Sequence, residues 1–358
     1  MVTYFIKKIT YGSLVLWGVL TLVFFLFNIL PGDPARMMLD KREDSNQLAV
    51  IKKKYAFDRP VAEQYILYLN DVSPLSAHHK SIDSFTSLSS GKYCFTNLFS
   101  ISDYYIVAKI PYLRESFVRK ETTVTSVIAQ TFKNTLVLAI ASIGFALFLG
   151  LILGDISALF KDSFIDKIIL FVSVLGMSLP SFFASIIIAW LFGFVLHNYT
   201  SLNMTGSLYE VDDYGRGSFL QIKNLILPAI TLGIRPLSVI IQLCRNSLLD
   251  VLSMDYVRTA TAKGLSKFTV IFKHALRNAL NPVVTAVSGW FASMLAGAVF
   301  VEYIFAWNGI GKEIVDALNK MDLPVVMGSV LFIASIFVII NIIVDLIYGW
   351  LDPRIKLS

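Results

Sequence analysis

The sequence predicts an all-α, polytopic membrane protein with six transmembrane helices, and three observations carry that prediction. Of 358 residues, 56% are hydrophobic and 16% charged. With a mean hydropathy of +0.67, the chain is too apolar for a soluble domain with an ordinary charged surface. Apolar runs at 11–30, 135–154, 168–196, 278–301 and 325–344 each reach the roughly 20 residues that cross about 30 Å of hydrocarbon. A sixth, 225–244, is interrupted only by Arg235. Finally, lysine and arginine concentrate in alternate connections, as in a multi-pass chain that keeps its positive loops inside. The formal charge of +6 follows from those loops, so nucleic acid is not an expected partner.

Residues 1–31 are read as a cytoplasmic N-terminus, with Lys7 and Lys8, followed by the first helix. The apolar stretch is longer than a signal core, and Ile29-Leu30-Pro31-Gly32-Asp33 offers no small-x-small cleavage site. Residues 32–133 form an extracytoplasmic segment with a serine-rich, loop-rich insertion at about 73–102. Residues 119–132 read as helical. His78-His79 lacks the partners of a metal or peptidase site and reads as solvated loop. Cys94 and Cys244 have no zinc-type spacing, and no mutual disulfide is expected. Residues 134–349 are a five-helix core with a cytoplasmic loop at 245–277, and 350–358 are a cytoplasmic tail.

Orientation follows from the short connections. Lys161 and Lys167 lie in 160–167. Arg245, Arg258, Lys263, Lys267, Lys273 and Arg277 face only Asp250 and Asp255 in 245–277. With Arg354 and Lys356 in the tail, these residues place both termini inside. Connections 197–224 and 302–324 are charge-balanced or slightly acidic and fall outside. No internal repeat is evident.

The most informative stretch is Asp255-Tyr256-Val257-Arg258-Thr259-Ala260-Thr261-Ala262-Lys263-Gly264-Leu265-Ser266. Ser253 or Asp255 supplies a side-chain oxygen suited to a helix N-cap. Gly264 suits the left-handed residue that ends a helix. Small residues Thr259, Ala260 and Ala262 let another protein surface approach closely. Ser266 suits the cap of the next helix. The local reading leaves two alternatives: a rigid cytoplasmic knob, or a basic loop that merely obeys the positive-inside rule.

The stretch resembles the EAA loop of binding-protein-dependent ABC permeases. That pattern is Glu-Ala-Ala, three residues, Gly, then nine residues to Ile-x-Leu-Pro. Arg258-Thr259-Ala260, Gly264 and His274-Ala275-Leu276-Arg277 occupy the matching positions. The departures at the Glu and Pro positions resemble the dipeptide/oligopeptide permease B-type subfamily. So do Leu30-Pro31-Gly32-Asp33-Pro34-Ala35, Asp58-Arg59-Pro60 with Gln64-Tyr65, and Leu179-Pro180-Ser181-Phe182. Further along, so do Leu227-Pro228-Ala229-Ile230-Thr231-Leu232-Gly233, and Val301-Glu302-Tyr303-Ile304-Phe305 with Trp307, Gly309 and Gly311. Asn341, Asp345 and Leu351-Asp352-Pro353-Arg354 complete the series.

The resemblance implies a MetI-like (type I ABC importer) fold in a bacterial inner membrane. It implies a permease for di- or oligopeptides, not an enzyme, that binds no cofactor itself. ATP and Mg would sit on two cytoplasmic ATPase subunits. A sibling permease and an extracytoplasmic substrate-binding protein would complete the assembly. Tyr256, Arg258, Thr259, Ala260, Ala262, Lys263, Gly264, Leu265 and His274 would form the ATPase-coupling surface. An ion- or proton-coupled carrier and a membrane scaffold are the competing classes.

Four other features bear on those classes. Arg235 falls near mid-membrane, where a guanidinium facing lipid costs at least about 2.5–3.5 kcal/mol. It is expected to face the bundle interior or a wet cavity, either meeting a peptide carboxylate in a pathway or forming a structural pair. Pro228 and Pro236 are expected to disturb the same helix. Asn341 and Asp345 share a helix face and are expected to bond between helices rather than relay protons. Gly309-Ile310-Gly311-Lys312 resembles a P-loop end, but Ala306 and Glu313 stand where Gly and Ser/Thr belong. Residues 309–322 are expected to form a short amphipathic helix at the outer surface, acting as a gate or a receptor.

Overall fold

The computed structural model describes residues 2–29, 49–50, 52–53, 55–81, 84–88, 91–211 and 217–351. The stretches 30–35 and 352–354, and the tail charge Lys356, lie outside the described residues. The helices are α1 (Val2–Ile29), α2 (Val61–Val72), α3 (Val124–Leu159), α4 (Phe164–Ser178), α5 (Ser181–Trp190), α6 (Lys223–Leu252), α7 (Asp255–Ala262), α8 (Asn281–Gly297), α9 (Val299–Ile304), α10 (Ile310–Asn319) and α11 (Leu323–Leu351). The strands are β1 (Leu75–His79), β2 (Phe95–Ile101), β3 (Tyr104–Lys109), β4 (Tyr209–Val211) and β5 (Ser218–Leu220). The chain divides into two compact units, one of residues 1–10, 131–313 and 333–358, the other of residues 11–130 and 314–332.

Four helices, α1, α3, α6 and α11, contain stretches long and apolar enough to cross a membrane. The expected run at 168–196 is broken: Phe164–Ser178 and Ser181–Val195 are bent by 109°, and only if counted as one span do they bring the crossings to five. Pro180 explains the break, because a residue before proline is driven out of the helical region, and Leu179 is extended (ψ 128°). The remaining expected run, 278–301, is divided. It forms α8, of 17 residues, and α9 follows beyond Ala298. α6 runs unbroken through Pro228 and Pro236, contrary to expectation. Packed neighbours let membrane helices carry proline without breaking.

In the first unit, α6 is the central helix. Ile240 and Cys244 pack with Ala146 of α3 and Val283 of α8. Gly150, Gly154 and Gly233 let α3 and α6 approach closely, since a Cβ on Gly154 would lie 2.7 Å from Cys244 Cβ. Lys8 Nζ donates to Asp345 at 2.5 Å, joining α1 to α11. Asp345 therefore bonds between helices as expected. Asn341 does not, because its amide donates to Phe337 C=O of its own helix (2.8 Å).

The motif after α8 is a knot around a buried carboxylate. Glu302 is fully buried. Its Oε1 accepts from Thr135 Oγ1 (2.6 Å), and its Oε2 accepts from Gly311 N–H (2.7 Å) and Lys312 N–H (3.2 Å). The last two are first-turn amides of α10, the orphan donors of a helix start. Gly311 leaves room for them, as its Cβ would lie 2.6 Å from Val299 Cα. Trp307 is also fully buried, and its indole N–H donates to Asn134 C=O (3.0 Å). The glycines that resembled a P-loop end thus hold a carboxylate.

The second unit overturns three expectations. The supposed loop-rich insertion contributes two strands, β1 and β2, to an antiparallel sheet of order β1-β3-β2. Residues 119–123 are turn and bridge, and the helix expected from 119 begins at Val124. His78, expected in solvent, is fully buried. Its Nδ1 donates to Thr86 C=O (2.7 Å), so its Nε2 accepts from Ser76 Oγ (2.8 Å). The serine-rich surroundings hid β1, whose own Ser76 is buried.

Under the sheet, Asp71 accepts from Tyr93 Oη (2.8 Å) and Arg114 Nε (2.9 Å). Lys109 is buried beside them with its ammonium unbonded, 4.3 Å from the centre of the Tyr93 ring. Burial pushes the Lys109 ammonium down from 10.5 to about 8, against the pull of Asp71.

Two outcomes are expected. Below pH about 8 the folded segment holds the Lys109 charge at full cost. Between about 8 and 10.5 the folded state sheds its proton before the unfolded chain does, so stability rises with pH. Amide protection of β1 and β3, corrected for intrinsic exchange, should rise across that window. Lys109→Met should be better protected at pH 7 and lose the rise. Glu302→Ala, which strands three donors, should lower thermal stability in detergent by about 3 kcal/mol. Glu302→Gln, whose amide can still accept from α10 and donate to Thr135, should cost about 1 kcal/mol or less.

Candidate functional site

The cytoplasmic loop is built on the end of α6. Ser253 Oγ donates to Asp250 C=O (2.7 Å), which closes α6 rather than opening α7. The N-cap of α7 is Met254, in extended conformation and with no side-chain cap. Neither Ser253 nor Asp255 caps the helix as expected. Asp255 instead sits in the first turn, where a negative charge favours the helix N-terminus. Its carboxylate lies 3.7 Å from Arg258 of the next turn.

α7 has two faces. Val257 and Ala260 are buried against Leu248 and Val251 of α6, Ala158 of α3, and Val270, Ala275 and Ala279. Tyr256, Arg258, Thr259, Ala262, Lys263, Gly264 and Leu265 are exposed. Ala260 therefore packs against its own chain and offers no outward contact, which corrects its expected place on the docking face. Gly264 has φ +81° and ends the helix as expected. Nothing would crowd a Cβ there, so the constraint is conformational. Ser266 Oγ accepts from Thr269 N–H (3.3 Å), which opens the next helical stretch.

That stretch is a π-helix, Val270–Ala275, and α7 is pinned to it. Tyr256 Oη donates to His274 C=O (3.4 Å) and accepts from Asn278 Nδ2 (2.8 Å). His274 contributes its carbonyl here and is half-buried. Phe268 and Phe272, not singled out from sequence, are exposed beside it with ring centroids 4.4 Å apart.

A buried ion pair fixes the base of the loop. Arg245 Nε and Nη2 donate to the two oxygens of Asp166 (2.8 and 2.7 Å). Asp166 also accepts from Ser157 Oγ (2.5 Å) and Asp162 N–H (2.9 Å). Arg245 had counted only as a positive-inside charge. It directly follows the expected apolar run 225–244, and that position gave no sign of a partner about 80 residues earlier.

Arg235 lies twelve residues into α6 and is exposed. Among the described residues no hydrogen bond or ion pair reaches it. The structural pair expected of it is not formed among the described residues. Among the described residues no group of three or more His, Cys, Asp or Glu side chains is placed to hold a metal ion.

Residues 146–357 match the family described as binding-protein-dependent transport system inner membrane component. Residues 1–96 match the N-terminal family of the same transport systems. The dipeptide transport system permease protein DppB of Alkalihalophilus pseudofirmus is 32% identical, over 99% of this chain and all of the relative. The di/tripeptide transport system permease protein DppB of Pseudomonas aeruginosa is 35% identical, over 95% of this chain and 94% of the relative. Among solved structures, the inward-facing methionine ABC transporter MetNI aligns with a TM-score of 0.50 and 15% identity. It covers 64% of this chain and 97% of its own, and supports the MetI-like fold. The chain therefore belongs to the binding-protein-dependent transport system inner membrane components, as a membrane permease subunit of an ABC transporter and not an enzyme.

Proposed function

We propose that the chain moves di- or oligopeptides inward across a bacterial inner membrane, N- and C-termini inside, as one half of a heterodimer with a sibling permease. The exposed face of α7 carries this reading. A short helix presenting Arg258, Thr259, Ala262, Lys263 and Leu265 is cemented through Val257 and Ala260 to the ends of α3 and α6. Tyr256, Gly264 and His274 hold its two ends and its support. Such a helix moves only with the bundle that bears it. It would seat on one of two ATPase subunits, which bind the ATP and Mg that this chain does not. Closure of the ATPases would favour the outward-facing packing, a population shift driven by differential ATP binding. An extracytoplasmic binding protein would then deliver the peptide. Names of relatives carrying dipeptide and di/tripeptide transport support the substrate class. The basic inner connections and the Lys8–Asp345 pair between first and last helices support the orientation.

Affinity capture of tagged chain from native membranes tests the coupling surface. The native chain should retain ATPase subunits. Ala262→Arg, on the exposed face, should cut their recovery about tenfold at unchanged chain stability. Ala260→Arg should instead lower the stability of the chain itself. Full ATPase recovery with Ala262→Arg would reject the surface. Gradient-driven peptide uptake by the purified chain alone would reject the permease reading in favour of a carrier.

A further inference from the structure

We infer that Arg235 is the specificity-determining residue that engages the free C-terminal carboxylate of the transported peptide, on a face of α6 that lines a water-filled route. The inference rests on the proposed function above.

Two independent observations place a polar space at this level. At 1.5 Å per residue, Arg235 stands roughly 18 Å from one end of α6 and 26 Å from the other. It is exposed, and no described residue bonds to it. Three other charged groups in these helices have partners: Lys8 pairs with Asp345, Arg245 pairs with Asp166, and Asp155 accepts from the Cys244 thiol at 3.2 Å. The α4–α5 break lies beside the same turn. A Cβ on Gly176 would stand 2.9 Å from Ile234 Cγ2 and 3.0 Å from Ser238 Oγ, and those two residues flank Arg235. Three residues on, Leu179 and Pro180 leave the helix, both exposed. Irregular backbone within a bilayer persists only where protein buries it or water reaches it, and this chain does not bury it.

The face continues below Arg235. Val239, Gln242 and Asn246 follow at helical spacing, and none of the three is buried by the chain. Gln242 is the next hydrogen-bonding side chain on the route. Along this face the first acid is Asp250, a turn below Asn246, so Arg235 is its one charge between residues 235 and 246. A guanidinium fork pairs with a carboxylate through two parallel bonds. Every unmodified peptide carries that group, whatever its side chains. An amidated peptide offers no such partner.

The test uses the complete importer in proteoliposomes, with a dipeptide and its C-terminal amide chosen so that the binding protein holds both equally. The native complex should take up the acid at least about tenfold faster than the amide. Arg235→Gln should bring that ratio close to one, and Arg235→Lys should keep part of it. In a Cys94→Ser background, Arg235→Cys should react with a membrane-impermeant anionic methanethiosulfonate. The dipeptide acid should protect it and the amide should not. An undiminished ratio in Arg235→Gln, or a cysteine that does not react, would overturn the inference. So would loss of assembly in Arg235→Gln that Arg235→Lys restores, since the anion would then belong to the sibling permease. Absence of any ATP-dependent peptide uptake by the native complex would instead count against the peptide-permease reading.

Discussion

A charge placed among apolar helices must find its counterpart nearby, and the Asp166 carboxylate meets this requirement most fully. Four donors converge on it, from Ser157 on α3, the Asp162 turn and both arms of Arg245 on α6. Removing one partner would leave the other as an uncompensated buried charge, which is far costlier than the pair is stabilising. The ends of three helices are thus held in one arrangement where α7 begins. Leu248 and Val251, one and two turns beyond Arg245, carry the packing surface for Val257 and Ala260. The exposed face of α7 inherits its direction from that base.

The same logic, with a carboxylate and backbone amides, organises the opposite end of the core. Glu302 receives the first turn of α10, and that turn has no room for side chains at residues 309 and 311. Arg235 is the exception in both settings. No counterpart stands among the described residues, so it is open to something that passes or something that docks.

Apolar runs located α1, α3, α6 and α11, because length and hydropathy are local properties of a sequence. The break between α4 and α5 was written at Leu179-Pro180, but the angle was not. The two-faced character of α7 was only half legible. Gly264 announced the helix end through its backbone freedom, yet Ala260 and Ala262 look alike until α6 is packed beneath one of them. Glu302 illustrates the same limit. Its motif was visible, while its role depends on Thr135, roughly 170 residues earlier. The strands of the outer segment defeated the reading because β1 buries Ser76 and His78 where alternation expects apolar residues, and β2 leaves its apolar residues exposed. His78 was misplaced for the same reason.

The Lys8–Asp345 bond has a consequence for biosynthesis. The ribosome delivers α1 first and α11 last, so an ammonium inserted at the start waits through the making of 336 intervening residues for its carboxylate. Until then α1 is a helix with an unmatched charge, free to recruit water or a chaperone. Arrival of α11 removes that mark. A chain that stalls before its final helix keeps it, so the cell has a chemical distinction between finished and unfinished copies.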